Sequence, residues 1–154
     1  MDLTLKPVTE SDFERLVELR LEVMRESLEQ ISRFDPVRAR ERFRASFDPA
    51  QLRLIEVDGD WVGCVSLKDQ GDHLEIEHFY IETRAQGKGI GSKVLTSLLD
   101  ESGSRTVRLG VLKQSRAAEF YIRHGFMKTH EGEFDEYFER LAPEIFSSSL
   151  LEIA

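Results

Sequence analysis

The chain has 154 residues, 21 of them Lys or Arg and 29 Asp or Glu, for a formal net charge of −8. A chain of this length fits one domain, burying roughly 68–70% of its unfolded surface, and needs no disulfide or metal to hold a core. The acidic balance excludes a broad nucleic-acid face, which Lys and Arg would have to carry, and no apolar run approaches the ~20 residues of a membrane span.

The first residues, Met1 to Asp12, are polar and acidic, unlike a signal peptide. Leu3 and Leu5 alternate with polar residues as in a short strand. Ser11-Asp12-Phe13-Glu14 has the form of a capping box. It opens a helix on which Phe13, Leu16, Val17, Met24, Leu28 and Ile31 recur at helical spacing, with Arg20 inside the stripe. Such an arginine either snorkels at the edge of the stripe or faces a pocket. Asp35-Pro36 marks the cap and first position of a second helix, with Ala39, Phe43 and Phe47 four apart. Arg38, Arg40, Arg42 and Arg44 splay around its axis and read as a solvated face rather than an anion site.

Strands over 52–57 and 61–67 join through Asp58-Gly59-Asp60 as a hairpin. Cys64, the only cysteine, sits mid-strand as a small buried hydrophobe. A lone cysteine excludes an internal disulfide and a thiolate metal cluster, and fits a reducing cytoplasm. Residues 73–81 form a longer strand, with His73, Glu75, Glu77 and Phe79 on one face and Leu74, Ile76, His78 and Tyr80 on the other. A bulge would reverse the placing of His78. Ile90, Val94, Leu95, Leu98 and Leu99 mark a third helix that stops near Ser102-Gly103. A strand over 106–112 follows, then a fourth helix with Ala117, Phe120, Tyr121 and His124, ended by Gly125. Two strands, 126–131 and 135–141, flank Gly132, and residues 143–154 form a short tail. Alternating strands and helices point to an α/β or α+β domain over residues 1–154.

The stretch Gln86-Gly87-Lys88-Gly89-Ile90-Gly91-Ser92 carries the clearest chemistry. Three glycines in five residues leave the main chain open to close approach. The unpaired N–H groups of the helix that follows, with its dipole, favour an anion such as a phosphate or pyrophosphate. A purely structural glycine turn is the alternative. The Walker spacing is absent, and Ser92 stands where the dinucleotide pattern needs its last glycine. His73, His124 and His130 lack metal-ligand spacing, so no metal is expected.

Gln86-x-x-Gly89-x-Gly91, followed by Ala117, Phe120-Tyr121 and Gly125-Phe126, resembles the two motifs of the GNAT acyltransferases. The resemblance runs from Leu3 to about Leu141. It implies a mixed, mostly antiparallel sheet of about seven strands, splayed between the fourth and fifth, with about four helices. It also implies acetyl-CoA as acyl donor, its pyrophosphate on the loop from Gln86 through Gly87, Lys88, Gly89, Ile90 and Gly91 to Ser92, and its pantetheine beside Phe79, Tyr80 and Ile81. Gln114 stands where the family often has Asn, adding a methylene to that contact.

The reaction so implied is direct attack of a primary amine on the thioester, with no acyl-enzyme and no metal. It needs a base for the amine, a donor for the carbonyl oxygen and an acid for the departing thiolate. By resemblance Tyr121 is the acid, and a backbone N–H near Tyr80 or Ile81 is the oxyanion donor. From its residue type alone, Tyr121 also reads as a core aromatic. Glu77, then Glu75, are the candidate bases, since paired carboxylates can push one pKa up. A solvent-facing pair is the other reading. The family's acceptor pocket places Arg20, Met24, Arg25, Phe34, Phe134 and Tyr137 as candidate acceptor contacts. The acidic balance suits a cationic amine, whereas Arg20 or Arg25 would suit a carboxylate. Small-molecule and peptide acceptors both remain open, as does a homodimer, and no nucleic-acid or membrane partner is expected. A non-catalytic acyl-CoA-binding sensor or interaction module is the alternative function.

Overall fold

The structure is a computed structural model that describes residues 1–113 and 115–141. The tail expected over residues 143–154 lies outside the described residues. The strands are β1 (Leu3–Pro7), β2 (Leu52–Val57), β3 (Asp60–Asp69), β4 (Leu74–Ile81), β5 (Val107–Leu112), β6 (Met127–Glu131) and β7 (Asp135–Arg140). The helices are α1 (Phe13–Gln30), α2 (Pro36–Ser46), α3 (Ile90–Ser102) and α4 (Ala117–Arg123). The strands make one sheet in the order β1-β2-β3-β4-β5-β7-β6. Neighbours pair antiparallel except β4 and β5, which run parallel. This is the mixed, mostly antiparallel sheet that the sequence implies.

Each face of the sheet carries its own core. On one face Phe13, Leu16, Val17 and Leu19 of α1 and Phe43 of α2 pack with Leu52, Leu54, Cys64 and Tyr80. On the other, Ile90, Val94, Leu95 and Leu98 of α3 and Tyr121 of α4 pack with Leu74, Ile76, Val107, Leu109 and Phe138. The apolar stripe of α1 divides its work. Its first half is buried, whereas Met24, Leu28 and Ile31 in its second half line a cavity.

Two local expectations change. The capping box sits two residues earlier than Ser11, at Thr9, and caps a 3₁₀ turn rather than α1 itself. The Thr9 N–H donates to Asp12 Oδ2 at 2.8 Å, because a 3₁₀ turn over Glu10–Asp12 precedes the helix. Glu14, the proposed partner of Ser11, pairs instead with Arg40. The faces of β4 also change. Ser66 opposes Glu77 and Cys64 opposes Tyr80, so His78 and Phe79 together face the single residue Val65. His78 takes φ 46°, the left-handed conformation of a bulge. The alternation is reset there. His78 and Tyr80 turn toward α1 and α2, and Phe79 turns toward α3 and α4. Gly63 makes this possible, since a Cβ there would lie 2.2 Å from the Tyr80 carbonyl oxygen.

Candidate active site

β4 and β5 are joined by only two register pairs, Leu74 with Val107 and Glu75 with Arg108. Beyond them no pair forms, and a cavity of about 990 Å³ opens. That is the upper end of the range for small-molecule sites. Its walls come from α1, the α1–α2 connection, α2, β4, β5, α4 and the start of β7.

The glycine loop lies at the far end of β4. Gly87 and Gly89 take φ 76° and 83°, and a Cβ at either would meet nothing within 4 Å. The main chain of the loop therefore faces open space. Gly89 is the N-cap of α3, so no side chain claims the first N–H groups of the helix. The Gln86 amide donates from Nε2 to the Ile81 carbonyl at 2.8 Å and fastens the loop to β4. Lys88 is exposed. Ile90 is buried in the core, and Gly91 packs against Ile81 and Phe120 at 3.5 Å from an added Cβ. Ser92 turns inward, its Oγ 2.9 Å from His124 Nε2. The residues expected to hold pyrophosphate thus divide into an open part, Gly87 to Gly89, and a packed part, Ile90 to Ser92. Gln114 lies outside the described residues.

Glu75 and Glu77 both line the cavity. They are held separately, Glu75 Oε2 accepting from Gln70 Nε2 at 3.2 Å and Glu77 Oε2 lying 3.1 Å from Lys68 Nζ. The bulge adds His78 to their face, with Nε2 3.7 Å from Glu77 Oε2. A short relay of hydrogen bonds follows. Arg20 Nη1 donates to the Tyr80 hydroxyl at 2.7 Å, that hydroxyl meets His78 Nδ1 at 3.1 Å, and His78 Nε2 meets Ser46 Oγ at 2.8 Å. Burial, assisted by the Arg20 and Lys68 charges, pushes the His78 pKa down to about 4, so the ring is neutral at pH 7. Burial pushes the Tyr80 phenol up to about 12 despite Arg20. It pushes the Cys64 thiol up to about 12 as well, which leaves it an inert core group donating to the His78 carbonyl at 3.2 Å.

This environment predicts an acid-sensitive fold. A histidine kept neutral by burial contributes stability that is fully present above its unfolded value, near 6.5, and is lost as pH falls toward about 4. Melting curves between pH 7 and 4 should show a loss of about 3 kcal/mol from this group. His78→Asn, which tolerates the left-handed backbone, should flatten that slope. An unchanged slope in the variant assigns the acid sensitivity to other groups.

Tyr121 also lines the cavity while remaining 7% exposed. Its ring packs edge-on to Phe120 and Phe126. Burial, with Tyr80 nearby, holds its phenol well above the usual tyrosine range. It is thus both a core aromatic and a cavity group.

Of the acceptor candidates, Arg20, Met24, Phe34, Phe134 and Tyr137 line the cavity. Arg25 does not. It is exposed, pairs with Glu29 at 2.8 Å and lies 4.8 Å over the Phe34 ring, because its position on α1 is turned to solvent. Sequence reasoning missed His78, Arg33, Arg38, Arg42 and Asp135, all of which line the cavity. Arg38 and Arg42 are four apart and share a helix face, a signal that was present in the spacing. Arg40 and Arg44 sit on another face and pair with Glu14 and Glu10 of the first turns. The arginine run is therefore not one solvated face.

Among the described residues no group of three or more His, Cys, Asp or Glu side chains is placed to hold a metal ion. No described helix is long and apolar enough to cross a membrane.

These features agree with what the chain resembles. PH1933 from Pyrococcus horikoshii OT3 superposes with a TM-score of 0.72 at 18% identity, covering 92% of this chain and 99% of its own. The PaiA N-acetyltransferase from Thermoplasma acidophilum, solved in complex with coenzyme A, gives the same score, identity and coverage. The N-acetylglutamate synthase from Neisseria gonorrhoeae, solved with coenzyme A and N-acetylglutamate, scores 0.66 at 18% identity, over 94% of this chain and 36% of its own. No curated protein matches in sequence. The acetyltransferase (GNAT) domain family matches residues 22–140, more than three quarters of the chain. With the splay, the glycine loop and the sheet order, that match means that this protein belongs to the GNAT acetyltransferase family, for which acetyl-CoA is the acyl donor.

Proposed function

We propose that this protein is an N-acetyltransferase that moves the acetyl group of acetyl-CoA directly to a primary amine. The observation that carries this reading is that one cavity is lined by the unpaired part of β4, a carboxylate (Glu77) and a buried phenol (Tyr121), with the open glycine loop following the same strand. The fit to the donor is physical. Gly87 and Gly89 leave room for a phosphate against the main chain, and β4 beyond Glu75 has no β5 partner to occupy its backbone groups. Bound there, acetyl-CoA supplies the thioester carbon that the amine nitrogen joins as the carbon–sulfur bond breaks.

The remaining work falls to this chain. Glu77 takes a proton from the incoming ammonium, which gives up two in all. A main-chain N–H of β4 near Tyr80 or Ile81 donates to the carbonyl oxygen as it gains charge. The Tyr121 hydroxyl donates toward the sulfur, which keeps one proton, so one proton is released per turnover. Phe79, on the α3 and α4 side of β4, flanks the donor arm.

The test is thiol release from acetyl-CoA with a panel of primary amines, alongside direct titration of acetyl-CoA. Binding without thiol release for any amine would leave a sensor. Gly89→Val should raise the acetyl-CoA dissociation constant about tenfold or more. It forces a branched residue into a left-handed conformation costing about 1–3 kcal/mol and covers the main chain. Unchanged affinity in a folded variant would remove the loop from the donor site.

A further inference from the structure

We propose that the acceptor is a small zwitterion, a free amino acid, whose carboxylate is held by arginines of the α1–α2 wall while its amine is presented to Glu77. This deepens the acetyltransferase reading above and rests on it.

The argument comes from where charge is left over. Of the eleven arginines outside the cavity, eight hold a carboxylate within ion-pair distance, and Arg116, Arg123 and Arg140 hold none among the described residues. The four that line the cavity, Arg20, Arg33, Arg38 and Arg42, form no ion pair among the described residues. The contrast falls within one helix, since the other two arginines of α2, Arg40 and Arg44, are both paired. Neither acidic group near this wall, Asp35 or Asp135, comes within ion-pair distance of these arginines among the described residues. Asp35 caps α2 by accepting from the Arg38 N–H at 3.1 Å. Asp135 is partly buried, and burial raises its pKa against the pull of Arg42. Arg20 also keeps a buried Nε with no hydrogen-bond partner, although its Nη1 is fixed on Tyr80. A buried, unpartnered N–H of a guanidinium is costly unless an acceptor arrives.

The β4 wall has the complementary sign. Glu75 and Glu77 project from β4 into the same cavity. A pocket in a protein of net charge −8 that is lined by four arginines without ion pairs and by the β4 carboxylates is matched by a molecule carrying both charges. Size and closure select a small one. The Arg33 guanidinium lies 4.2 Å over the Phe134 ring, so the α1–α2 connection touches the β6–β7 turn and bridges the cavity. A peptide chain continuing from the amine would have to pass that bridge.

The experiment compares amino acids with their decarboxylated amines, for example phenylalanine with phenethylamine and leucine with isopentylamine. Each is titrated calorimetrically into the protein, with and without CoA. The amino acid of at least one pair should bind about tenfold tighter or better than its amine, the worth of roughly 1.4 kcal/mol in charge-assisted hydrogen bonds. Arg38→Gln/Arg42→Gln should reduce that ratio toward one, raising KM for the amino acid with little change in kcat, and leave the amine unaffected. Equal or tighter binding of the amines, no binding of any amino acid, or a ratio that survives the double substitution would overturn the proposal. Acetyl-CoA affinity is read in a separate titration. Loss of arginine-dependent acceptor binding with donor binding intact refutes only this inference, whereas absence of donor binding refutes the acetyltransferase reading.

Discussion

Glu77→Gln should slow acetyl transfer by about 10²–10⁴-fold, the usual worth of a positioned base. The carboxylate is half-buried on the cavity face of β4, one residue before the bulge. It lies near enough to Tyr80 to push that phenol upward. Glutamine keeps the size and can still touch Lys68, so folding and donor affinity should hold while the rate falls. Stopped-flow or steady-state rates across pH decide the matter. The dependence of rate on acidity that belongs to a carboxyl base should disappear with the side chain. If Glu75→Gln shows the loss and Glu77→Gln does not, the base lies two residues earlier. If neither slows the reaction, deprotonation occurs in bulk water.

Tyr121→Phe should lower kcat by about 10–10³-fold with KM nearly unchanged if, as proposed, its hydroxyl acts as charge develops on sulfur. The effect should sit toward the lower end. A phenol held far above its usual range by burial is a good hydrogen-bond donor but a reluctant giver of its proton. Phenylalanine preserves the contacts with Phe120 and Phe126, so stability should change by less than about 1–1.5 kcal/mol. Native kcat would reduce Tyr121 to a core aromatic. A parallel loss of donor binding would make it a binding group.

The strand and helix pattern was legible where the central sheet is covered on both faces, so that burial repeats along its elements. Leu52–Val57 and the apolar stripes of α1 and α3 were read nearly to the residue. The loop from Gln86 to Ser92 was legible because its glycines break that pattern. What stayed hidden required tertiary information. The bulge at His78 depends on Gly63 of the neighbouring strand, and nothing within residues 73–81 announces it. Periodicity alone therefore sent His78 to the wrong face and Phe79 to the other. The pairing of Arg40 with α1 and of Arg44 with the 3₁₀ turn before it, and the turning of Arg38 and Arg42 to the cavity, depend on how two helices cross. Arg20 was legible as an anomaly in an apolar stripe, though its partner Tyr80 lies sixty residues away.

The two-pair junction between β4 and β5 has a thermodynamic consequence. The sheet amounts to two half-sheets, β1–β4 and β5–β7–β6, stitched at one end by Leu74, Glu75 and the Arg105 clasp on Asp69 and Gly71. A donor lying in the cleft completes the missing stitches, so it acts as structural mortar as well as reactant. Its contribution follows mass action, about 2.7 kcal/mol when free donor or released coenzyme stands at 100 times its dissociation constant. With the donor bound there as proposed, the resistance of this fold to unfolding and proteolysis should rise and fall with the coenzyme supply around it.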